Sequence, residues 1–167
     1  RAHFAAITRR DRLDEVLDGL AAAATAGLGP VKVNAVLDPV TGPGDAVELL
    51  RFCLGHGYQL RIIEQMPLDG GHQWSREATV PAANILAALA GNFDLQPDSA
   101  PRGSAPAQLW VVDGGPATVG IIASVSDAFC SACSLFKIES PVRRASAMIV
   151  RAVFTVPAVG MTDASAT

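Results

Sequence analysis

Helical and strand-like patterns alternate along the first 65 residues, and this alternation leaves few folds open to the chain. Over residues 10–26, leucines and a valine recur at spacings of three and four, which predicts a helix. Residues 31–37 are short and rich in valine, which is typical of a strand. A second helix over 46–54 and a second strand over 59–65 follow. Strands that alternate with helices pair in parallel through right-handed crossovers, so the pattern predicts an α/β layer or barrel.

Stretches rich in proline and glycine separate the later elements. Residues 38–45 and 96–107 have this composition and are predicted to be loops. A third helix is predicted over 81–90, with a proline in its first turn. Two apolar runs, 109–112 and 118–124, flank a Gly-Gly turn and predict a β-hairpin. No clear pattern is visible near the end of the chain.

The length of the chain conflicts with a closed barrel. An eight-stranded barrel needs roughly 250 residues, whereas this chain has 167 and offers two parallel strands. The α/β portion is therefore expected to be the later part of a larger sheet or barrel, and a first residue other than methionine agrees with that expectation. Because 50% of the residues are hydrophobic, the chain has enough apolar material for a core, which excludes an intrinsically disordered protein.

Charge and cysteine content narrow the expected partners. A net charge of −3 and a pI near 5.5 argue against a nucleic-acid-binding surface, which is usually basic. No apolar run reaches the length of a membrane span, and no signal peptide is visible. Three cysteines are too few for a disulfide framework, so a reducing, intracellular environment is expected.

Lys32 is an unexpected residue in the first predicted strand, because it lies between two valines. It shares a face of that strand with Asn34 and Val36. One interpretation is a lysine at a strand end whose charge reaches water. The alternative is a fixed positive charge in the mouth of a barrel, suited to a phosphate or a carboxylate.

Glu64 and Met66 lie at the end of the second predicted strand, and each allows two interpretations. Met66 is either a core-filling side chain or a ligand contact at the carboxyl end of a parallel strand. Glu64 is an acid among apolar residues, so it needs a partner or a ligand unless it lies at the surface.

Cys130 and Cys133 form a C-x2-C pair. This spacing suits half of a zinc site, a redox dithiol or two ligands of an iron–sulfur cluster, because both thiolates can converge on one metal centre. A thioredoxin-like motif would place the pair at the start of a helix, and no such helix is evident. Cys53 lies among apolar residues of the second helix and is predicted to be a buried packing residue.

Several segments resemble one family, and they occur in the family's order. They are Thr8–Leu13, Pro30–Leu37, Arg61–Gly71, Val119–Ile122 and Phe129–Cys133. The resemblance is to the GTP 3′,8-cyclases of molybdenum cofactor biosynthesis (MoaA type), which are radical S-adenosylmethionine enzymes. The segments VKVNAVL and RIIEQMPLDGG are specific, and their occurrence together with the cysteine pair argues against coincidence.

The resemblance implies an α/β fold, the second half of an incomplete (β/α)6 TIM-type barrel plus a C-terminal β-hairpin and cluster extension. Residues 1–95 would form the partial radical S-adenosylmethionine barrel, and residues 96–133 the extension that binds the cluster and GTP. Residues 134–167 no longer match the family pattern, and we interpret them as a divergent tail that is out of frame or fused.

Roles for individual residues follow from the same resemblance. By that resemblance Lys32 binds GTP, Met66 contacts S-adenosylmethionine, and Cys130 and Cys133 ligate a second [4Fe–4S] cluster; Lys137 is a weaker GTP-binding candidate. The implied activity is the radical cyclisation of GTP to 3′,8-cyclo-7,8-dihydro-GTP. The implied setting is the cytoplasm, with a homodimer and a downstream pterin-forming synthase as partners.

The chain departs from the family pattern in two respects. The C-x3-C-x2-C motif that holds the S-adenosylmethionine cluster is not among these residues. Leu135, Phe136 and Lys137 stand where the family has Arg-x-Arg, and Ala147 stands in place of a third cysteine. Two further hypotheses therefore stay open, a catalytically inactive remnant that binds at most GTP or a partner chain, and a small thiol or zinc protein.

Overall fold

Helices and strands alternate along most of the chain, as the sequence pattern predicts. The computed structural model describes residues 4–5, 9–37, 39, 41–66, 75, 79–103, 105–127 and, as backbone, 152–155. The elements in chain order are α1 (Leu13–Thr25), β1 (Lys32–Val36), α2 (Gly42–Gly55), β2 (Gln59–Ile63), α3 (Ala82–Ala90), β3 (Leu95–Pro97), β4 (Gln108–Val112), β5 (Thr118–Ile122) and β6 (Ala152–Thr155).

All the described strands belong to one six-stranded sheet with the order β3-β4-β5-β2-β1-β6. The pairs β6–β1, β1–β2 and β2–β5 are parallel, whereas β4 is antiparallel to both β3 and β5. The α/β class expected from the sequence is therefore confirmed. Because β5 lies directly beside β2, strands from either side of residue 95 share one sheet.

The core lies between the helices and one face of this sheet. Alternate residues of β1 and β2 are buried, as a half-covered strand requires. The buried sheet residues on this face include Val33, Ala35, Leu60, Ile62, Val119 and Ile121. They share one apolar cluster with Leu49, Leu50 and Cys53 of α2 and with Ile85 and Leu89 of α3. The helices thus cover one face and leave the opposite face to other residues.

One predicted loop is shorter than the composition suggested. Residues 38–45 were expected to be irregular, but α2 begins at Gly42, so that prediction is wrong over its second half. Pro43 fits the first helical turn because the backbone N–H groups there need no partner within the helix. The Thr41 hydroxyl also donates a hydrogen bond to the Asp45 carboxylate, which joins the preceding residue to the first turn.

Two short strands were not predicted from the sequence. Gln96 and Pro97, expected in a loop, belong to β3, and Ala152–Thr155 form β6 in a region without visible periodicity. Both strands are too short to display an alternation, and each exists through pairing with a longer strand. The hairpin of β4 and β5 is confirmed, and its turn uses positive φ at Asp113, Gly114 and Gly115.

Candidate functional site

Polar side chains gather on the sheet face opposite the helices. Lys32 is paired in register with Gln59, and Asn34 with Arg61, so these residues of β1 and β2 point to the same side. Each of them is partly exposed. We call the set Lys32, Asn34, Gln59, Arg61 and Thr118 the polar face.

Gln59 holds the centre of the polar face together. Its side-chain Nε2 donates to the Thr118 hydroxyl across the sheet at 2.7 Å. Its Oε1 accepts a hydrogen bond from Arg61 Nε at 3.3 Å. The glutamine amide thus orients the arginine and connects β2 with β5.

Gly120 makes room for Arg61 on this face. The two residues are paired across β2 and β5, so a side chain at position 120 would project beside the arginine. A Cβ atom added at Gly120 would lie 3.2 Å from Arg61 Cγ and 3.2 Å from the Ala107 Cβ. The aliphatic part of Arg61 therefore occupies space that a larger residue would fill.

Lys32 is a cation in surroundings that disfavour its charge. Partial burial lowers the pKa of the Lys32 ammonium group, and repulsion from Arg61 lowers it further. Among the described residues, none forms a hydrogen bond or an ion pair with Lys32 that would stabilise its charged form. An anion bound on the polar face would supply the missing compensation, so the face suits a negatively charged ligand.

Lys32 and Met66, the two predicted ligand contacts described by the structure, lie toward opposite ends of the strands. Lys32 is level with the start of β2, whereas Met66 follows its carboxyl end. The four steps from Gln59 to Ile63 span about 13 Å at the rise of a strand. The Met66 side chain is 42% exposed, so the core-filling interpretation is wrong. Lys32 and Met66 are therefore too far apart to contact the same small group of a ligand.

Glu64 is buried and fully partnered. It is 3% exposed, which excludes the surface interpretation. One carboxylate oxygen accepts hydrogen bonds from the Ala82 N–H and the Ser126 hydroxyl, both at 2.6 Å. The other accepts from the N–H groups of Val125 and Ser126, both at 2.8 Å. Burial tends to raise the pKa of Glu64, but these hydrogen bonds outweigh it and the pKa is lowered overall.

These contacts assign Glu64 a structural task. Ala82 opens α3, where backbone N–H groups have no partner within the helix. Val125 and Ser126 follow β5, so the carboxylate joins the end of β2 to two other segments. Backbone N–H groups and a hydroxyl of the protein therefore provide the partners that Glu64 needs.

The cysteine pair and Lys137 fall in another part of the chain. Cys130, Cys133 and Lys137 lie outside the described residues, and their predicted roles stay predictions. Cys53 is fully buried, as predicted, and burial raises the pKa of its thiol to about 12. Within the described ranges, no three His, Cys, Asp or Glu side chains gather into a group able to hold a metal ion.

Arg61 was not predicted as a site residue from the sequence, and neither were Gln59 and Thr118. The sequence did indicate that Arg61 lies in an alternating strand, on the side opposite the buried residues Leu60 and Ile62. Strand alternation in β2 alone could not show that this side faces the same way as Lys32. The register between β1 and β2 was needed for that.

Comparisons with known proteins agree on one family. Residues 58–140 match the family model described as Molybdenum Cofactor Synthesis C. A protein named GTP 3′,8-cyclase from Mycobacterium sp. (strain KMS) is 75% identical over 132 residues, 79% of this chain and 38% of the relative. A GTP 3′,8-cyclase from Mycobacterium marinum is 70% identical over 137 residues, 80% of this chain and 38% of the relative.

These relatives are much longer than the matched region. The chain spans less than two-fifths of the length of the curated relatives it matches, since 38% of each is covered. None of the described helices combines the length and apolar character that a membrane span requires.

Proposed function

We propose a role in GTP binding for this chain, which belongs with the GTP 3′,8-cyclases of molybdenum cofactor synthesis and corresponds to their C-terminal region. The observation that carries the proposal is the proximity of two cations on the polar face, of which Lys32 has no compensating partner among the described residues. Lys32 and Arg61 lie on neighbouring strands, close enough for Arg61 to lower the pKa of the lysine. A nucleotide phosphate group relieves this repulsion and matches both cations.

The two cations contribute differently to phosphate binding. Arg61 presents a planar guanidinium whose orientation is held by Gln59, so it offers directed hydrogen bonds. Lys32 presents a compact charge on a flexible stem, so it adapts to the position of the phosphate. Asn34 lies between Lys32 and Val36 on β1 and adds an amide able to donate or accept a hydrogen bond.

In the proposed arrangement the polar face lines the interior of an incomplete (β/α)6 barrel. The parallel strands β1 and β2, with helices on the opposite face, support this assignment. Residues 1–95 then form the later half of the barrel and residues 96–133 its C-terminal extension. Residues 134–167 form a divergent tail in the same proposal.

Of the proposed cofactor contacts, Met66 lies among the described residues. Met66, exposed beyond the carboxyl end of β2, contacts S-adenosylmethionine in this proposal. Cys130 and Cys133 provide two thiolate ligands to a [4Fe–4S] cluster, which needs four ligands in all. Lys137 adds a weaker contact to GTP. The cluster at Cys130 and Cys133 is the second cluster of the family; the radical chemistry would be supplied by S-adenosylmethionine at the first cluster, whose C-x3-C-x2-C motif is not among these residues.

The name of the relatives, GTP 3′,8-cyclase, supports the proposed reaction. In a complete enzyme of this type, GTP is cyclised to 3′,8-cyclo-7,8-dihydro-GTP in the cytoplasm, and the product passes to a pterin-forming synthase. For the complete enzyme, a homodimer is the proposed assembly. For the present chain the proposal is restricted to GTP binding, because it covers 38% of the relatives.

Calorimetric titration of the 167-residue chain with GTP tests this proposal. Replacing Lys32 by methionine removes the charge and keeps the length of the side chain, and we expect GTP affinity to fall about 10-fold or more. The matched control is Arg51→Met, because Arg51 is an exposed cation on α2 that pairs with Glu48. This control should bind GTP as the unmodified chain does.

Two outcomes would refute the proposal. One is an unmodified chain that folds, by circular dichroism, and binds no GTP. The other is equal GTP affinity in Lys32→Met and Arg51→Met, which would mean that GTP binds without the polar face.

A further inference from the structure

The two edges of the sheet are protected in different ways. At one edge, β3 has three residues, of which Gln96 and Pro97 are exposed. Pro97 has no backbone N–H, and such a short strand offers little backbone for another chain to pair with. This edge is therefore protected by its own sequence.

The outer edge of β1 is less protected by its own sequence, in which Lys32 at the first position is the one charged residue. β1 has five residues, contains no proline and alternates between half-buried and buried positions. Val33 is 1% exposed and Ala35 is fully buried, as in an interior strand. A strand of this kind at an open edge would present unpaired N–H and C=O groups to any other strand.

In this chain β6 covers that edge. Ala152–Thr155 pair in parallel with Val33–Val36, residue by residue. The segment lies beyond the match to the family model, which ends at residue 140. A strand from outside the matched region thus pairs with the strand that would otherwise be the last of the sheet.

We propose that β6 prevents self-association of this chain by occupying the outer edge of β1. When β6 is displaced, a second copy of the chain pairs there through its own β1. A two-fold axis perpendicular to the sheet brings two β1 strands together antiparallel, which gives a closed dimer. This inference is independent of GTP binding, because the backbone of β1 carries it.

Breaking β6 with proline in the full-length chain tests the proposal. In Val153→Pro, the proline removes one backbone N–H and disfavours the strand. We expect the mass measured by light scattering after size exclusion to double relative to the unmodified chain at the same concentration. At low concentration, the amides of Val33–Val36 should exchange hydrogen faster than in the unmodified chain. Ala164→Pro, outside β6, should change neither measurement.

A second substitution separates edge pairing from general misfolding. Val36→Lys adds a positive charge to a strand that already contains Lys32. When the two-fold axis passes through Asn34, position 36 of one β1 strand lies opposite Lys32 of the other. The like charges then repel, so adding Val36→Lys should return Val153→Pro to its original mass. Circular dichroism of Val36→Lys alone checks that the charge leaves the fold intact.

The proposal is overturned by either of two results. In the first, Val153→Pro keeps the mass and the amide exchange of the unmodified chain. In the second, Val153→Pro associates but Val36→Lys does not reverse the association, which would indicate contact through surfaces other than β1.

Discussion

The two faces of β1 and β2 are built from the same ten residues but have opposite properties. On the helix-covered face, Val33, Ala35, Leu60 and Ile62 are at most 1% exposed. On the polar face, the intervening residues are partly exposed and include the cations Lys32 and Arg61. Strand alternation thus separates the residues that stabilise the sheet from those available to a ligand. The predictions below test this separation, from the largest expected effect to the smallest.

The largest effect is expected on the helix-covered face. Leu60 is fully buried between the sheet and the helices, so Leu60→Ala should lower the free energy of unfolding by about 2–5 kcal/mol. The matched substitution is Ile63→Ala, on the same strand but on the side of the sheet that carries the polar face, where the Ile63 side chain is partly exposed. It should cost clearly less, because less apolar surface is lost. Equal losses in urea denaturation would contradict the separation of the two faces.

A smaller loss is expected at Glu64, where β2 ends. Glu64→Gln replaces an oxygen acceptor by an NH2 group that faces backbone N–H donors. The free energy of unfolding at neutral pH should fall by about 1–3 kcal/mol. Asp45→Asn is a suitable control, because Asp45 is another buried carboxylate but accepts its hydrogen bond locally, from Thr41 just before α2.

The effect of Glu64→Gln should depend on pH in a defined direction. The hydrogen bonds lower the pKa of Glu64 from its ordinary value of 4.5 in the folded state. Its stabilising contribution is complete above 4.5 and is lost as the pH falls from there through the lower folded pKa. Urea denaturation between neutral and acidic pH should therefore show the two proteins converging below pH 4.5. A constant difference would mean that the ionised carboxylate is not the source of the stability.

The smallest effect on stability is expected at Lys32. Burial and repulsion from Arg61 already disfavour its charge, so Lys32→Met should change the free energy of unfolding by no more than about 0.5 kcal/mol. Thermal unfolding without ligand measures this change. A substantial destabilisation would show that Lys32 supports the fold, and the polar face would then lose its distinct role in binding.

Several features were predictable because they depend on neighbours in the sequence. Helix spacing, valine-rich runs and glycine turns located α1, β1, β2, α3 and the hairpin within a few residues. Cys53 could be assigned to the core because apolar residues surround it in α2. The similarity to the GTP 3′,8-cyclases was also predictable, since the segments that carry the resemblance are continuous stretches of sequence.

Other features depend on residues far apart in the chain. The sequence predicts that Glu64 needs a partner, because it is an acid among apolar residues. It does not identify the partners, which lie 18 to 62 positions away at Ala82, Val125 and Ser126. The start of α2 was missed because proline and glycine are as compatible with a first helical turn as with a loop.

The sequence by itself determined the α/β class, the alternation of buried and polar positions within each strand, and the relationship to the GTP 3′,8-cyclases. Only the tertiary structure decided that Lys32 and Arg61 share a face, that Glu64 joins three segments, and that β6 pairs with β1. The physical reason is that local periodicity specifies an element and its faces. The register and order of strands arise from contacts between distant segments, which no local pattern contains.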